Sequence, residues 1–127
     1  MDLPPDTVLV FDQDEDLSVF ESFTHATNYL EAIDVVEGEY TAAYSPDGRL
    51  LALTAPDGWK GPVALARTGR ADLADLEQRV ACYWQRHHRG QVPRDPLQTA
   101  RFLIDRDSQP GNGSLVRLTR LLRRNHH

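Results

Sequence analysis

The chain has 127 residues, of which 40% are hydrophobic and 26% are charged, and its formal net charge at pH 7 is −5. This balance is typical of one folded domain and excludes a disordered chain. The single cysteine, Cys82, excludes an internal disulfide and a multi-cysteine metal site. The first six residues lack the layout of a secretory signal, and no apolar run approaches the ~20 residues of a membrane-spanning helix. We therefore expect a cytoplasmic protein without a transmembrane segment.

The first third of the chain predicts a hairpin followed by a helix. Residues 7–11 and 17–20 are short apolar runs on either side of an acidic turn, which is typical of a β-hairpin. Between residues 23 and 33 the apolar side chains recur at helical spacing, and Ser22 precedes them as an N-cap. We expect one amphipathic helix that ends near Asp34.

The middle of the chain predicts three further strands. Residues 39–44 and 49–54 flank a Ser-Pro-Asp-Gly turn, and Asp-Gly favours a tight reversal between strands. Residues 62–67 follow a glycine-containing loop and predict another strand. With the first hairpin, these segments predict a mainly antiparallel sheet of four to six strands.

The remainder predicts helices. Residues 71–88 contain neither glycine nor proline and carry apolar side chains at helical spacing, and residues 97–104 predict a shorter helix. The glycine- and proline-containing stretch 108–113 separates these from a last helix at 114–124.

Strands followed by helices indicate an α+β fold in a single domain, residues 1–127. About residues 1–68 form the helix-containing β-meander, and the C-terminal helices, about residues 70–124, are expected to cover one face of the sheet.

The charges are divided between two parts of the sequence. Residues 1–58 contain thirteen acids and one base, a formal charge of −12, whereas residues 59–127 contain thirteen bases and six acids, a formal charge of +7. Three explanations are open: attraction within the molecule, an acidic face for a basic partner, or a basic face for nucleic acid or an acidic partner. The pI of 5.4 and the lack of aromatic residues among the C-terminal arginines argue against nucleic acid.

One group of acids lies in the turn of the predicted first hairpin: Asp12, Asp14, Glu15 and Asp16. Their alternation resembles the start of an EF-hand calcium loop, but that loop requires glycine and glutamate where Leu17 and Phe23 stand. The interpretations left are a solvated turn, loose Mg²⁺ or Ca²⁺ binding, and a docking patch. We assign no metal and no cofactor.

A second group of acids lies around the end of the first predicted helix: Glu31, Asp34, Glu37 and Glu39. A solvated rim is favoured over acid–base catalysis, which would need a carboxyl pKa shifted toward neutrality. Trp59 stands beside Lys60 in a loop and is either an interface anchor or a cover over the core.

The sequence offers no catalytic constellation. Solvent-facing histidines and a small buried thiol are favoured over a Cys-His nucleophile. The residues concerned are His25, His87, His88 and Cys82. Familiar phosphate-binding, dinucleotide-binding, esterase and zinc-protease motifs are absent from the sequence. The last predicted helix is basic and amphipathic, either packed by its leucines or docking through its arginines: Arg117, Arg120 and Arg124.

The stretches LEAIDV, GEY and YSPDGRLL, within residues 30–51, look like a segment common in small bacterial proteins of actinobacterial type. Some of those proteins are similar to toxin-neutralising immunity proteins. The resemblance implies a cytoplasmic α+β protein that binds and blocks another protein through an acidic surface. It assigns no functional residue.

We therefore expect a non-catalytic binding protein of immunity or inhibitor type. Its two acidic groups and Trp59 would face a basic protein partner, such as a toxin or an enzyme. The alternatives are an accessory or regulatory subunit that docks through the basic C-terminal helix, and a small enzyme with an unrecognised site. Homo-oligomerisation is left open.

Overall fold

A computed structural model describes residues 3–107. The elements in chain order are β1 (Val8–Asp12), β2 (Leu17–Phe20), α1 (Phe23–Tyr29), α2 (Ala32–Val36), β3 (Tyr40–Tyr44), β4 (Arg49–Thr54), β5 (Ala64–Ala71), α3 (Leu73–His87) and α4 (Pro96–Asp107). The predicted α+β class with a mainly antiparallel sheet is confirmed. The predicted last helix, with Arg117, Arg120 and Arg124, lies outside the described residues. No helix within the described part combines the length and apolarity needed to cross a membrane.

The five strands form one sheet in the order β2-β1-β3-β4-β5, and each neighbouring pair is antiparallel. Four of the strands match the predicted runs within one residue at either end, whereas β5 begins two residues later and extends to Ala71. Helix α4 is also longer than the predicted 97–104.

Helices cover both faces of the sheet. Leu9 and Phe11 pack with α3 and α4, whereas Val8 and Val10 pack with α1 and α2 on the other face. All five residues of β1 are buried for this reason, and a strand buried on both faces reads as a continuous apolar run. The C-terminal helices therefore cover one face, as expected, and the earlier helices cover the second.

The prediction of a single helix over residues 23–33 is wrong in one respect, because the structure divides this segment into α1 and α2. Leu30 and Glu31 are extended, with ψ of 142° and 135°. In one regular helix Ala32 would lie about 120° around the axis from Ala26. The break lets both alanines be buried against the same face of the sheet, at 7% and 0% exposure. The predicted cap is present, since Ser22 Oγ accepts from the backbone N–H of His25 at 3.0 Å.

Candidate functional site: the acidic end of the sheet

Three connections lie at the same end of the sheet. Asp12 at the end of β1 pairs with Tyr40 at the start of β3, and Thr54 at the end of β4 pairs with Ala64 at the start of β5. Because neighbouring strands are antiparallel, the β1–β2 turn (13–16), the turn before β3 (37–39) and the β4–β5 loop (55–63) all lie at this end. We call it the acidic end. It is at least three strand spacings wide, roughly 14 Å.

Asp12 organises the β1–β2 turn from inside. Its side chain is only 4% exposed, and its Oδ1 accepts from the backbone N–H groups of Asp14 and Asp16 at 2.9 and 3.1 Å. The Asp12 amide donates to the carbonyl of Asp16, and the Glu15 amide donates to the carbonyl of Asp12. A buried carboxylate thus holds the turn in which Asp14 and Glu15 are exposed.

Glu15 closes this turn with a backbone conformation that glycine normally supplies. Its φ is +59°, and no other non-glycine residue among 3–107 has a positive φ. The left-handed conformation costs a residue with a Cβ roughly 1–2 kcal/mol. Such strain occurs preferentially at functional sites, where other requirements outweigh stability.

Arg86, at the C-terminal end of α3, partly neutralises the turn, and His87 of the same helix also lies close to it. Arg86 Nη1 lies 3.5 Å from Glu15 Oε2, and His87 Nε2 lies 3.9 Å from Asp16 Oδ1. Both pairs are substantially solvent-exposed, so each adds little to stability. Some acids of this turn therefore lie against basic side chains from the oppositely charged part of the chain, as the explanation by attraction within the molecule predicts.

Gln13 joins the β1–β2 turn to the turn before β3. Its backbone N–H donates to the carbonyl of Glu39 at 2.9 Å, and its Nε2 donates to the carbonyl of Gly38 at 2.8 Å. As a result, carboxylate oxygens of Asp12, Asp14 and Glu39 lie within 4.8 Å of one another. The two acidic groups singled out in the sequence therefore meet.

These three carboxylates are the residues of the described region whose geometry suits a divalent cation. Ca²⁺ takes about six to eight oxygen ligands, whereas one oxygen of Asp12 already accepts two backbone hydrogen bonds. The arrangement concentrates negative charge at this end of the sheet.

The remaining acids of the second group divide between surface and interior. Glu37 is exposed in the turn before β3, and Glu31 is half-buried immediately before α2. Asp34 is 7% exposed, and its Oδ2 accepts from the hydroxyl of Tyr40 at 3.4 Å. Asp12 and Asp34 thus hold local structure from the inside, whereas Asp14, Glu15 and Glu37 face solvent.

Trp59 is a large apolar side chain at the acidic end and is 59% exposed. Lys60 Nζ lies 4.9 Å from the centre of its ring, a cation–π contact. The loop does not fold this ring over the core, so the second of the two interpretations is wrong, and a role as an interface anchor stays a prediction.

A cleft of about 200 Å³ opens between β1 and α3. Its lining residues are Phe11, Glu15, Asp75, Gln78, Arg79 and Cys82. The Tyr44 hydroxyl donates to Asp75 Oδ2, which also accepts from Arg79 Nε at 2.8 Å. The Asp75–Arg79 spacing is visible in the sequence, whereas Tyr44 reaches Asp75 only through the packing of α3 on the sheet.

The hydrogen-bonded pair of Asp75 and Tyr44 has shifted pKa values. The hydroxyl of Tyr44 and then the guanidinium of Arg79 hold the pKa of the Asp75 carboxyl below its usual value. Burial, followed by the hydrogen bond to Asp75, raises the pKa of Tyr44 to about 12. Both pKa values move away from neutrality, which is the opposite of what proton transfer near pH 7 requires.

The histidines at the end of α3 differ from each other. His87 is exposed, as predicted, but His88 is half-buried against the rings of Trp84 and Phe102, at centroid distances of 4.6 and 5.6 Å. Its Nε2 lies 2.9 Å from the hydroxyl of Tyr83. The prediction of a solvent-facing His88 is therefore wrong, because α4 packs over it.

No protein-family model matches the chain, and searches of curated proteins and of solved structures found no match.

Proposed function

We propose that this protein binds a basic protein partner through the acidic end of its sheet, as an inhibitor or immunity protein does. The observation that carries the proposal is the meeting of three connections at one end of a rigid sheet. They present exposed carboxylates and an exposed tryptophan at that end. Binding residues are commonly held on loops that a rigid scaffold positions.

The composition of this surface suits protein recognition. A tryptophan is a frequent hot spot, because it buries a large rigid area at low entropic cost. The surrounding carboxylates would steer a basic partner during diffusion and raise the association rate, which added salt would then lower. Asp12 and Gln13 support the exposed acids through backbone hydrogen bonds, so the surface is organised before a partner arrives.

The partner can be found by affinity capture with matched charge variants as bait. Asp14→Asn combined with Glu37→Gln removes two exposed charges from the acidic end. Glu21→Gln combined with Glu77→Gln removes two exposed charges elsewhere and gives the same net charge. We expect a basic protein that the parent and the second variant retain at low salt, that the first variant loses, and that high salt releases.

The captured protein then allows a kinetic test. Its association rate with the parent should fall steeply as salt increases, and Trp59→Ala should raise the dissociation rate by at least about tenfold if the ring is a hot spot. A partner held equally by both charge variants, or an association rate independent of salt, would contradict the proposal.

A further inference from the structure

Helix α4 runs toward the acidic end. Near its start, Leu97 lines a cleft together with Pro46 of the β3–β4 turn, which lies at the opposite end of the sheet. Further along, the ring of Phe102 lies 5.6 Å from the ring of His88, the residue that follows α3. The guanidinium of Arg106, one helical turn later, lies 5.9 Å from the same Phe102 ring. Because α3 ends beside the β1–β2 turn, α4 leads the following residues toward the acidic end.

The part of the chain that follows α4 carries the opposite charge to this surface. Residues 108–127 contain four arginines and no acid. The three connections of the acidic end contain six acids and one base, Lys60. Charge complementarity of this kind favours association and selects against partners of the wrong sign.

The acidic end has both exposed carboxylates and exposed apolar side chains. Glu37 and Asp57 are exposed, and neither forms an ion pair with a basic side chain among residues 3–107. Val36, the last residue of α2, and Trp59 are 55% and 59% exposed. A basic amphipathic segment could therefore bury apolar area and place cations beside carboxylates on the same surface.

Residues 114–124 match this surface in pattern and length. On a regular helix Leu121 would lie about 40° from Arg117 and about 60° from Arg124 around the axis, so one face can present a leucine and arginines together. Eleven helical residues would be roughly 17 Å long, close to the roughly 14 Å width of the acidic end. The seven residue steps from Asp107 to Ser114 can span up to roughly 24 Å, so the segment can reach across this end.

We infer that residues 114–124 bind the acidic end of their own molecule, with their arginines against its exposed carboxylates and Leu121 against its apolar side chains. Weak contacts are sufficient, because a short tether supplies an effective concentration on the order of millimolar. A basic protein partner then has to displace this segment. That consequence rests on the proposed function, whereas the contact itself does not.

A spin label tests the contact in the full chain. Cys82→Ser removes the single cysteine, and Asn125→Cys carries a nitroxide directly after the segment. We expect amide signals of ¹⁵N-labelled protein to lose intensity in residues 37–39 and 55–63, which lie across the sheet from the β2 edge where α4 packs. High salt should reduce these losses, because it screens exposed charges.

Charge exchange identifies the groups that make the contact. Arg120→Glu with Arg124→Glu should abolish the losses in residues 37–39 and 55–63. Arg70→Glu with Arg101→Glu changes the net charge equally at exposed sites outside the segment and should keep them.

A compensating exchange then excludes unfolding as the cause. Glu37→Arg with Asp57→Arg should abolish the losses on its own, and its combination with Arg120→Glu and Arg124→Glu should restore them, because the charges are again opposite. Restored losses cannot arise from an unfolded protein.

Three outcomes would overturn the inference. The first is losses that avoid residues 37–39 and 55–63, and the second is losses that Arg120→Glu with Arg124→Glu leaves unchanged. The third is losses that appear only when spin-labelled protein without ¹⁵N is mixed with ¹⁵N-labelled protein without the spin label. This last outcome would identify a second copy of the chain as the occupant.

A captured basic partner tests the displacement separately. If the segment covers the acidic end about nine-tenths of the time, Arg120→Glu with Arg124→Glu should tighten partner binding about tenfold relative to Arg70→Glu with Arg101→Glu. Equal affinities of these two variants would contradict the displacement. The spin-label measurement needs no partner, so failure to capture one contradicts only the proposed function, and failure to observe the losses contradicts only the contact.

Discussion

The two ends of the sheet are built from similar turns but use them in different ways. At the end opposite the acidic end, which we call the turn end, the β3–β4 turn is closed by Gly48 N–H donating to the Ser45 carbonyl at 3.0 Å. The Ser45 hydroxyl donates to Asp47 at 2.6 Å, and the Asp72 amide, just before α3, donates to the Gly48 carbonyl at 2.9 Å. At the acidic end, by contrast, a glutamate takes the left-handed position of the β1–β2 turn, although Gly38 and Gly58 take left-handed positions in the other two connections, and a tryptophan faces solvent.

We interpret this contrast as a difference between an end built for stability and an end that carries the proposed binding surface. The turn end places a glycine where the backbone needs one and packs it against the start of α3. The acidic end tolerates strain and exposed apolar area, which selection for stability alone would remove. The predictions below test whether the two ends differ in this way.

The largest effect is expected at Gly48. Its φ is +93°, and an added Cβ would lie 2.8 Å from the Cα of Leu73, which is backbone and cannot move aside alone. Gly48→Ala should lower the free energy of unfolding by about 2–5 kcal/mol, the sum of a left-handed penalty and an overpacking cost. Urea denaturation measures this loss.

Gly38 provides a matched control at the acidic end. Its φ is +75°, but a Cβ there would meet no atom within 4 Å. Gly38→Ala should therefore cost only the conformational penalty, roughly 1–2 kcal/mol. Equal losses in the two variants would show that close packing does not distinguish the two ends.

A smaller effect is expected at Tyr44, which lies near the turn end and is 2% exposed. Tyr44→Phe removes the hydroxyl that donates to Asp75 while Arg79 remains. A hydrogen bond to a charged group contributes about 1.5–3 kcal/mol, and the exposed part of Asp75 can regain water, so the loss should be about 1–2 kcal/mol. The pKa of Asp75, measured by NMR, should rise toward its usual value; an unchanged pKa would contradict this account.

At Glu15 a substitution should raise the free energy of unfolding instead of lowering it. Glu15→Gly relieves the left-handed strain of roughly 1–2 kcal/mol and removes an exposed ion pair with Arg86 that contributes at most about 1 kcal/mol. The free energy of unfolding should rise by about 0.5–1 kcal/mol, whereas binding of the basic partner should weaken. Glu15→Ala removes the same charge but keeps the strain, so it should not be stabilising. If Glu15→Gly lowers the free energy of unfolding, the acidic end does not store backbone strain and the proposed difference between the two ends is wrong.

Much of the fold follows from local signals. The Asp-Gly turn, the acidic turn and the capping serine fix the positions of four strands and of α1, because each signal acts over a few residues. The division of the first helix does not follow, since Ala26 and Ala32 are buried on one face only through contact with the sheet. The extension of β5 depends likewise on its pairing with β4.

The site is less accessible to sequence reasoning. The abundance of acids indicates a charged surface, but not that Asp12 and Asp34 are buried. The meeting of the two acidic groups depends on Gln13, whose side chain bonds to a turn 25 residues away. Distant pairs of this kind are set by topology, which local patterns do not encode.

The smallest effect concerns His88, beside the acidic end. Burial lowers the pKa of His88, and the neighbouring charges of Arg106, His87 and Arg94 lower it further, while Asp16 opposes them. Because the folded-state pKa lies below the unfolded value of about 6.5, the unfolded chain takes up this proton first as the pH falls. Stability should therefore decrease between about pH 7 and pH 5, and it should recover as the pH is raised again.

The carboxylates with lowered pKa values do not change the stability between about pH 7 and pH 5. The stability that Asp47 and Asp75 contribute is lost only as the pH falls below about 3.9 toward their folded-state values. His88→Gln cannot take up the proton and should flatten the pH dependence of the urea midpoint between pH 7 and 5 relative to the parent. An equal slope in both proteins would mean that another group controls acid stability, and the packing of α4 over His88 would then play no part in it.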